Sequence, residues 1–121
     1  MPVIIDFLEG DCRDLGCILG DSFLDSLPRP FLVIEDSSHQ YQDVLKVLNF
    51  WEPRLTKGEL LVIEDGVLDC LGLSEEFNGG PNRAIEEFFN SNPSSFEICQ
   101  KYSDFYGKNA TYSPNGWLLK T

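Results

Sequence analysis

Positive charge is what this 121-residue chain has least of: nine lysines and arginines stand against twenty acids, a net charge of −11. Binding to nucleic acid needs a basic face for the phosphates, and none is visible, so nucleic acid is set aside as a partner. The same balance argues against an anionic membrane surface. No apolar run approaches the ~20 residues of a spanning helix, and no charged leader with an apolar stretch behind it opens the chain. The expectation is a cytoplasmic protein. Cysteine is sparse and unpatterned: Cys12, Cys17, Cys70 and Cys99 contain no C-x-x-C pair, which removes the usual zinc and dithiol signatures. Reduced thiols, buried or half-buried, are expected. The chain also has no G-x-G-x-x-G, no P-loop and no G-x-S-x-G. Asn109-Ala110-Thr111 fits a glycosylation sequon but, without a secretory route, reads as a chance match.

What is present is an ordinary globular composition, 42% apolar, enough for one domain over residues 1–121 with a real core. Val3–Leu8 reads as a strand, and Asp14–Leu27 as a helix with Asp14 as its cap and Pro28 and Pro30 behind it. Phe31–Glu35 is the next strand. A helix capped by Ser37 or Ser38 follows, with Tyr41, Val44, Leu45, Leu48 and Trp51 inward. Leu60–Ile63 is a strand, 66–78 a loop with a short helical turn, and Gly79-Gly80-Pro81-Asn82 starts a helix burying Ala84, Ile85, Phe88 and Phe89. Phe96–Tyr102 and Tyr112–Lys120 form an antiparallel pair, the latter broken by the turn Pro114-Asn115-Gly116. The order is β-α-β-α-β-α-β-β. Phe31–Ile34 is apolar on both faces, the pattern of a central strand covered on each side.

Two of these strands end alike, on acid: Phe31-Leu32-Val33-Ile34-Glu35-Asp36 and Leu60-Leu61-Val62-Ile63-Glu64-Asp65. Joined by one helix, they make a strand–helix–strand unit whose parallel strands present their carboxyl ends on one edge, where open α/β sheets place their chemistry. Asp36, Glu64 and Asp65 should converge there, with His39, the chain's one histidine, a turn away. Carboxylates packed so closely repel unless a cation neutralises them. A set of three carboxylates without thiolate suits Mg²⁺, Mn²⁺ or Ca²⁺ rather than zinc, and His39 is placed for a proton transfer. Either segment alone would be an ordinary turn or cap. The aromatic residues Tyr102, Phe105, Tyr106, Tyr112 and Trp117 read more readily as core and strand packing than as a substrate platform.

The residues Ile34–His39, then Leu55-Thr56-Lys57-Gly58-Glu59-Leu60-Leu61-Val62-Ile63-Glu64-Asp65-Gly66, resemble the cephalosporin hydroxylase family of class I S-adenosylmethionine-dependent methyltransferases, which includes rhamnosyl and macrolide-sugar O-methyltransferases. The resemblance continues through Gly79–Phe88 and Asn109–Leu118 and covers nearly the whole chain in order. It implies a Rossmann-like sheet, Mg²⁺ on Asp36, Glu64 and Asp65, His39 as catalytic base, and in-line attack of an acceptor hydroxyl on the sulfonium methyl of S-adenosylmethionine. The acceptor would be a sugar or other small molecule. Gly10, Asp11 and Cys12 fall where such enzymes approach the adenine. The family's first two strands and glycine-rich cofactor loop have no counterpart here. The chain thus resembles the C-terminal portion of the fold, to be completed by a homo-oligomer or another chain. Two other readings stand beside it: a non-catalytic protein of this ancestry that associates through its open sheet edge, and a metal-dependent hydrolase using the same acids.

Overall fold

The computed structural model describes residues 2–121. Its centre is a four-stranded mixed sheet: β1 (Leu32–Glu35), β2 (Leu60–Ile63), β3 (Phe96–Ile98) and β4 (Trp117–Lys120), in the order β1-β2-β4-β3. β1 and β2 run parallel, Leu32 opposite Leu60 and Glu35 opposite Ile63, while β4 is antiparallel to both β2 and β3. The expected hairpin pair is therefore present, each strand shorter than its apolar run. Cys99 turns the chain out of β3 into the short helix α5 (Gln100–Ser103), and 112–116 remain a turn.

The helices account for the core. α3 (Tyr41–Trp51) buries Val44, Val47, Leu48 and Trp51, and α4 (Gly80–Ser91) buries Ala84, Ile85 and Phe88. These are one face of each helix at 3.6-residue spacing, and the two pack against each other over the sheet residues Leu61, Ile63, Phe96 and Leu118. Pro81 stands in the first turn of α4, where its missing N–H costs nothing. Ser38 does not itself stand at the N-cap of α3, which is Gln40; its hydroxyl accepts from Gln40 N at 3.2 Å and donates to Asp43 Oδ2 at 2.6 Å.

Three expectations are corrected. Val3–Leu8 forms no strand: it has no ladder partner among the described residues, and Val3, Ile4, Ile5, Phe7 and Leu8 are all exposed. The single helix expected over 14–27 is two short ones, α1 (Leu15–Ile18) and α2 (Asp21–Ser26), because Gly20 takes an extended backbone between them; Asp14 makes no capping bond. β1 is an edge strand, not a central one. Val33 packs on the core, but Leu32 and Ile34, each 58% exposed, face away from it, since the helical layer covers only one side. The two-faced apolar pattern is real, and its second face has no cover among the described residues. The cysteines are unpaired as expected, yet Cys17 and Cys70 are exposed rather than sheltered.

Candidate metal centre

The parallel pair carries its ladder one step past the strands, Glu64 N donating to Glu35 O at 3.0 Å, so both chains leave the sheet at the same edge. Asp36 and Asp65 are the residues just beyond it. The chain from β1 then reverses through His39, and the chain from β2 through Asp65 itself. Each has a left-handed backbone, φ 62° at His39 and 60° at Asp65. Such a conformation is unfavourable by roughly 1 kcal/mol or more for a residue with a Cβ, and such residues cluster at functional sites. The reversals bring the side chains together: one ligand atom each from Asp36, His39 and Asp65 lies within 4.8 Å of the others, and His39 Nε2 stands 3.4 Å from Asp65 Oδ2.

Glu64, the third expected acid, points elsewhere. Its Oε2 accepts a 2.7 Å hydrogen bond from the hydroxyl of the buried Ser113. The geometric cluster is thus two carboxylates and an imidazole, with Glu64 anchored beside it. Oxygen and nitrogen ligands around one divalent ion sit about 2.0–2.6 Å from it, so donor atoms roughly 3–5 Å apart are the spacing a shared ion requires. The half-exposed side chains of His39 and Asp65 and the exposed Asp36 leave room for further ligands from solvent or substrate. The donor set fits a hard cation such as Mg²⁺ or Mn²⁺.

Neighbouring elements hold this edge in place. Phe77 meets the His39 ring edge-on at 5.8 Å, and Gln40 Nε2 donates to Glu76 O at 3.3 Å. Asn82, in the first turn of α4, donates from one amide nitrogen to Gly66 O and to Asp69 Oδ2, both at 2.8 Å. It thereby fastens the turn that follows Asp65. A Cβ on Gly66 would stand 2.6 Å from Asn82 Oδ1, which is why glycine follows the acid. Neither spacing nor charge singles out Ser113 or Asn82 in the sequence. Their only signal is membership in the segments Gly79–Phe88 and Asn109–Leu118.

The residues expected near the adenine do not form a cradle. The side of Gly10 where a Cβ would lie is filled by Ile18. The Asp11 carboxylate is held by the Arg13 guanidinium, with Arg13 Nε 2.9 Å from Oδ1, and by Arg13 N at 2.8 Å; these bonds lower its pKa well below the usual range. Cys12 is half-buried at the rim of a pocket of about 410 Å³ shared with Lys46, Asn49 and Phe50. No part of 10–12 offers a free cofactor-binding carboxylate.

The aromatic residues of the β3–β4 connection are not core. Phe105, Tyr106 and Tyr112 are exposed, Tyr102 is marginally so, and with Trp117 they line an open pocket of about 620 Å³. The connection is long, and its rings pack on one another and on Trp117 rather than into the core cluster.

Acids and an imidazole thus gather at the carboxyl ends of the sheet's parallel pair, the edge at which open α/β folds place their chemistry. Residues 4–121 match the family described as rhamnosyl O-methyltransferase/CmcI, and the chain belongs to that family. It is similar to the rhamnosyl O-methyltransferase of Mycobacterium leprae, 31% identical over 93 residues, which is 77% of this chain and 40% of that protein. The rhamnosyl O-methyltransferases of Mycobacterium bovis and Mycobacterium tuberculosis are 29% identical over 93 residues, covering 77% of this chain and 37% of theirs. The matched region thus spans about two fifths of the length of these curated relatives. No solved structure matches. No helix among the described residues is long and apolar enough to cross a membrane.

Proposed function

We propose that this chain carries the metal and acceptor half of an S-adenosylmethionine-dependent O-methyltransferase that acts on a hydroxyl of a sugar or similar small molecule. The observation that carries the reading is the convergence of Asp36, His39 and Asp65 at one sheet edge in a member of this family. The names of the relatives supply the reaction class, and a rhamnosyl hydroxyl is the first acceptor to try.

In this reading Asp36 and Asp65 would hold Mg²⁺, with Glu64 available as a further ligand on exchanging its bond to Ser113, and a bound ion would supply charge stabilisation at the acceptor oxygen. His39, held between Phe77 and Asp65, takes the acceptor's proton at Nε2, the nitrogen that faces Asp65. Transfer of the methyl group then depends on alignment of the acceptor oxygen with the sulfonium carbon, and positioning supplies most of the rate. The strand order β1-β2-β4-β3, with β1 open at the edge, is compatible with the C-terminal half of a class I methyltransferase sheet. The glycine-rich turn and the ribose-binding acid of such a sheet would pair beyond β1.

The test is transfer of a labelled methyl group from S-adenosylmethionine to a methyl rhamnoside, with Mg²⁺ and with a chelator. Mg²⁺-dependent labelling that is lost in His39→Ala supports the reading. Labelling indifferent to both metal and His39 contradicts it.

A second reading has its own observation. Leu32 and Ile34 are exposed on a strand paired on one side only, a surface suited to association with another chain. A non-catalytic family member would use that edge and bind no methyl donor.

A further inference from the structure

The carboxylate of Glu35 lies inside the fold and has no part in the chemistry described so far. We infer that Glu35 is a positioning residue for His39: its Oε2 holds the proton on Nδ1 of the imidazole, fixing the tautomer whose Nε2 lone pair faces Asp65. The use of that lone pair as a base rests on the methyltransferase reading; the pairing of the two side chains does not.

Three observations support this. The first is burial. Glu35 is 4% exposed, and strand alternation puts it on the same face as Val33, which packs on the core. A carboxylate so placed needs hydrogen-bond donors in place of water. One oxygen has them: Oε1 accepts from Ser37 N at 3.0 Å and from the Ser37 hydroxyl. Oε2 is buried and has none.

The second is a donor in the same condition four residues on. His39 Nδ1 is also buried without a partner, while the ring's other nitrogen stands 3.4 Å from Asp65 Oδ2. Among the described residues, the other such atoms are on Ser103, Asn109 and Trp117, in the β3–β4 connection and the strand it leads into. Oε2 and Nδ1 are thus the orphans of the turn between β1 and α3, the one an acceptor and the other able to donate. A hydrogen bond between them, direct or through one water, satisfies both. The third is the turn itself. The bond from Ser37 N folds the Glu35 carboxylate back over the residues leading to His39, whose ring is set by its edge-on contact with Phe77.

The pairing has a chemical consequence. In a neutral imidazole one nitrogen carries the proton and the other a lone pair, and the hydrogen bond at one decides the state of the other. An acceptor at Nδ1 keeps the proton there and the lone pair at Nε2. That tautomer serves whether Nε2 takes a proton or ligates a cation. Glu35 stands outside the Asp36–His39–Asp65 cluster and acts only through His39.

His39 is the chain's one histidine, so isotopic labelling of histidine nitrogen isolates its two ring nitrogens for magnetic resonance. Their couplings to the carbon-bound ring protons report the tautomer. At a pH where the ring is neutral, the parent chain should show Nδ1 protonated and Nε2 bare. Glu35→Gln keeps the shape but can accept at one end only. The Ser37 N–H takes that oxygen, so the amide nitrogen is turned to Nδ1 and the tautomer should reverse. Glu35→Ala removes the acceptor and should give a mixture of both forms. A parent ring protonated mainly at Nε2 overturns the proposal before any variant is made. So does a parent tautomer that persists in either variant, its folding verified from backbone amide spectra. The pairing and the methyltransferase reading fail separately. A tautomer governed by Glu35 in a chain that transfers no methyl group leaves the pairing and removes the reading. Methyl transfer by a chain whose tautomer ignores Glu35 removes the pairing alone.

Discussion

Nε2 of His39 and Oδ2 of Asp65 stand 3.4 Å apart although a whole helix and strand lie between the two residues in the chain, and each reaches that place through a left-handed backbone, φ 62° and 60°. Neither is glycine, so each conformation is held against its own preference. Packing against Phe77 and the Asn82 clamp on Gly66 sustain it.

Strain of this kind separates stability from function. Asp65→Gly removes both the Cβ penalty and the repulsion from Asp36, and should raise stability by about 1 kcal/mol in metal-free solution. The same variant should lose Mg²⁺ binding. Urea denaturation with and without Mg²⁺ checks both, and an Asp65→Gly protein less stable than the parent would mean that the Asp65 carboxylate is structural.

Glu59 contributes to the acid sensitivity of the fold. Burial opposes ionisation of its carboxyl, but the N–H groups of Thr56 and Phe31, at 2.7 and 2.9 Å, and the Arg29 guanidinium at 2.5 Å outweigh this and lower its pKa below the ordinary 4.5. A carboxyl with a lowered folded-state pKa stabilises fully above its unfolded value and loses that contribution as pH falls through the folded one. Stability should therefore decline on acidification below about 4.5. Glu59→Gln should cost about 2–4 kcal/mol at neutral pH and flatten that part of the decline. Denaturation midpoints at neutral and acid pH, compared between the two proteins, give the answer.

The open edge of β1 should drive self-association. Leu32 and Ile34 face solvent beside a row of unpaired backbone groups. Sedimentation is expected to show a concentration-dependent dimer that Ile34→Lys converts to monomer. A parent chain monomeric at the highest soluble concentration would remove this edge as an interface.

How much of this is legible in the sequence follows from which forces are local. β2, α3 and α4 are readable because their apolar spacing and the breakers Pro53 and Pro81 agree with their surroundings. The convergence of Asp36, His39 and Asp65 is readable because a strand–helix–strand unit places its carboxyl ends together whatever the side chains. Val3–Leu8 and Phe31–Ile34 mislead in the same way. Their composition reports the burial a strand would have with neighbours on both sides, and the fold over residues 2–121 supplies neighbours on one side or none. The diversion of Glu64 to Ser113 is invisible, because it depends on a turn 49 residues later in the chain. The aromatic pocket reads as core because hydrophobicity alone does not say whether rings pack into the core cluster or on one another.

The central claim is that Asp36 and Asp65 share a divalent cation. Calorimetric titration of Mg²⁺ into the parent chain and into Asp65→Asn tests it most directly, since asparagine keeps the side-chain shape, tolerates the left-handed backbone and removes only the charge. Saturable binding at one site per chain is expected, weakened at least about tenfold by the substitution. Binding of equal affinity in both proteins, or no binding in either, would contradict it.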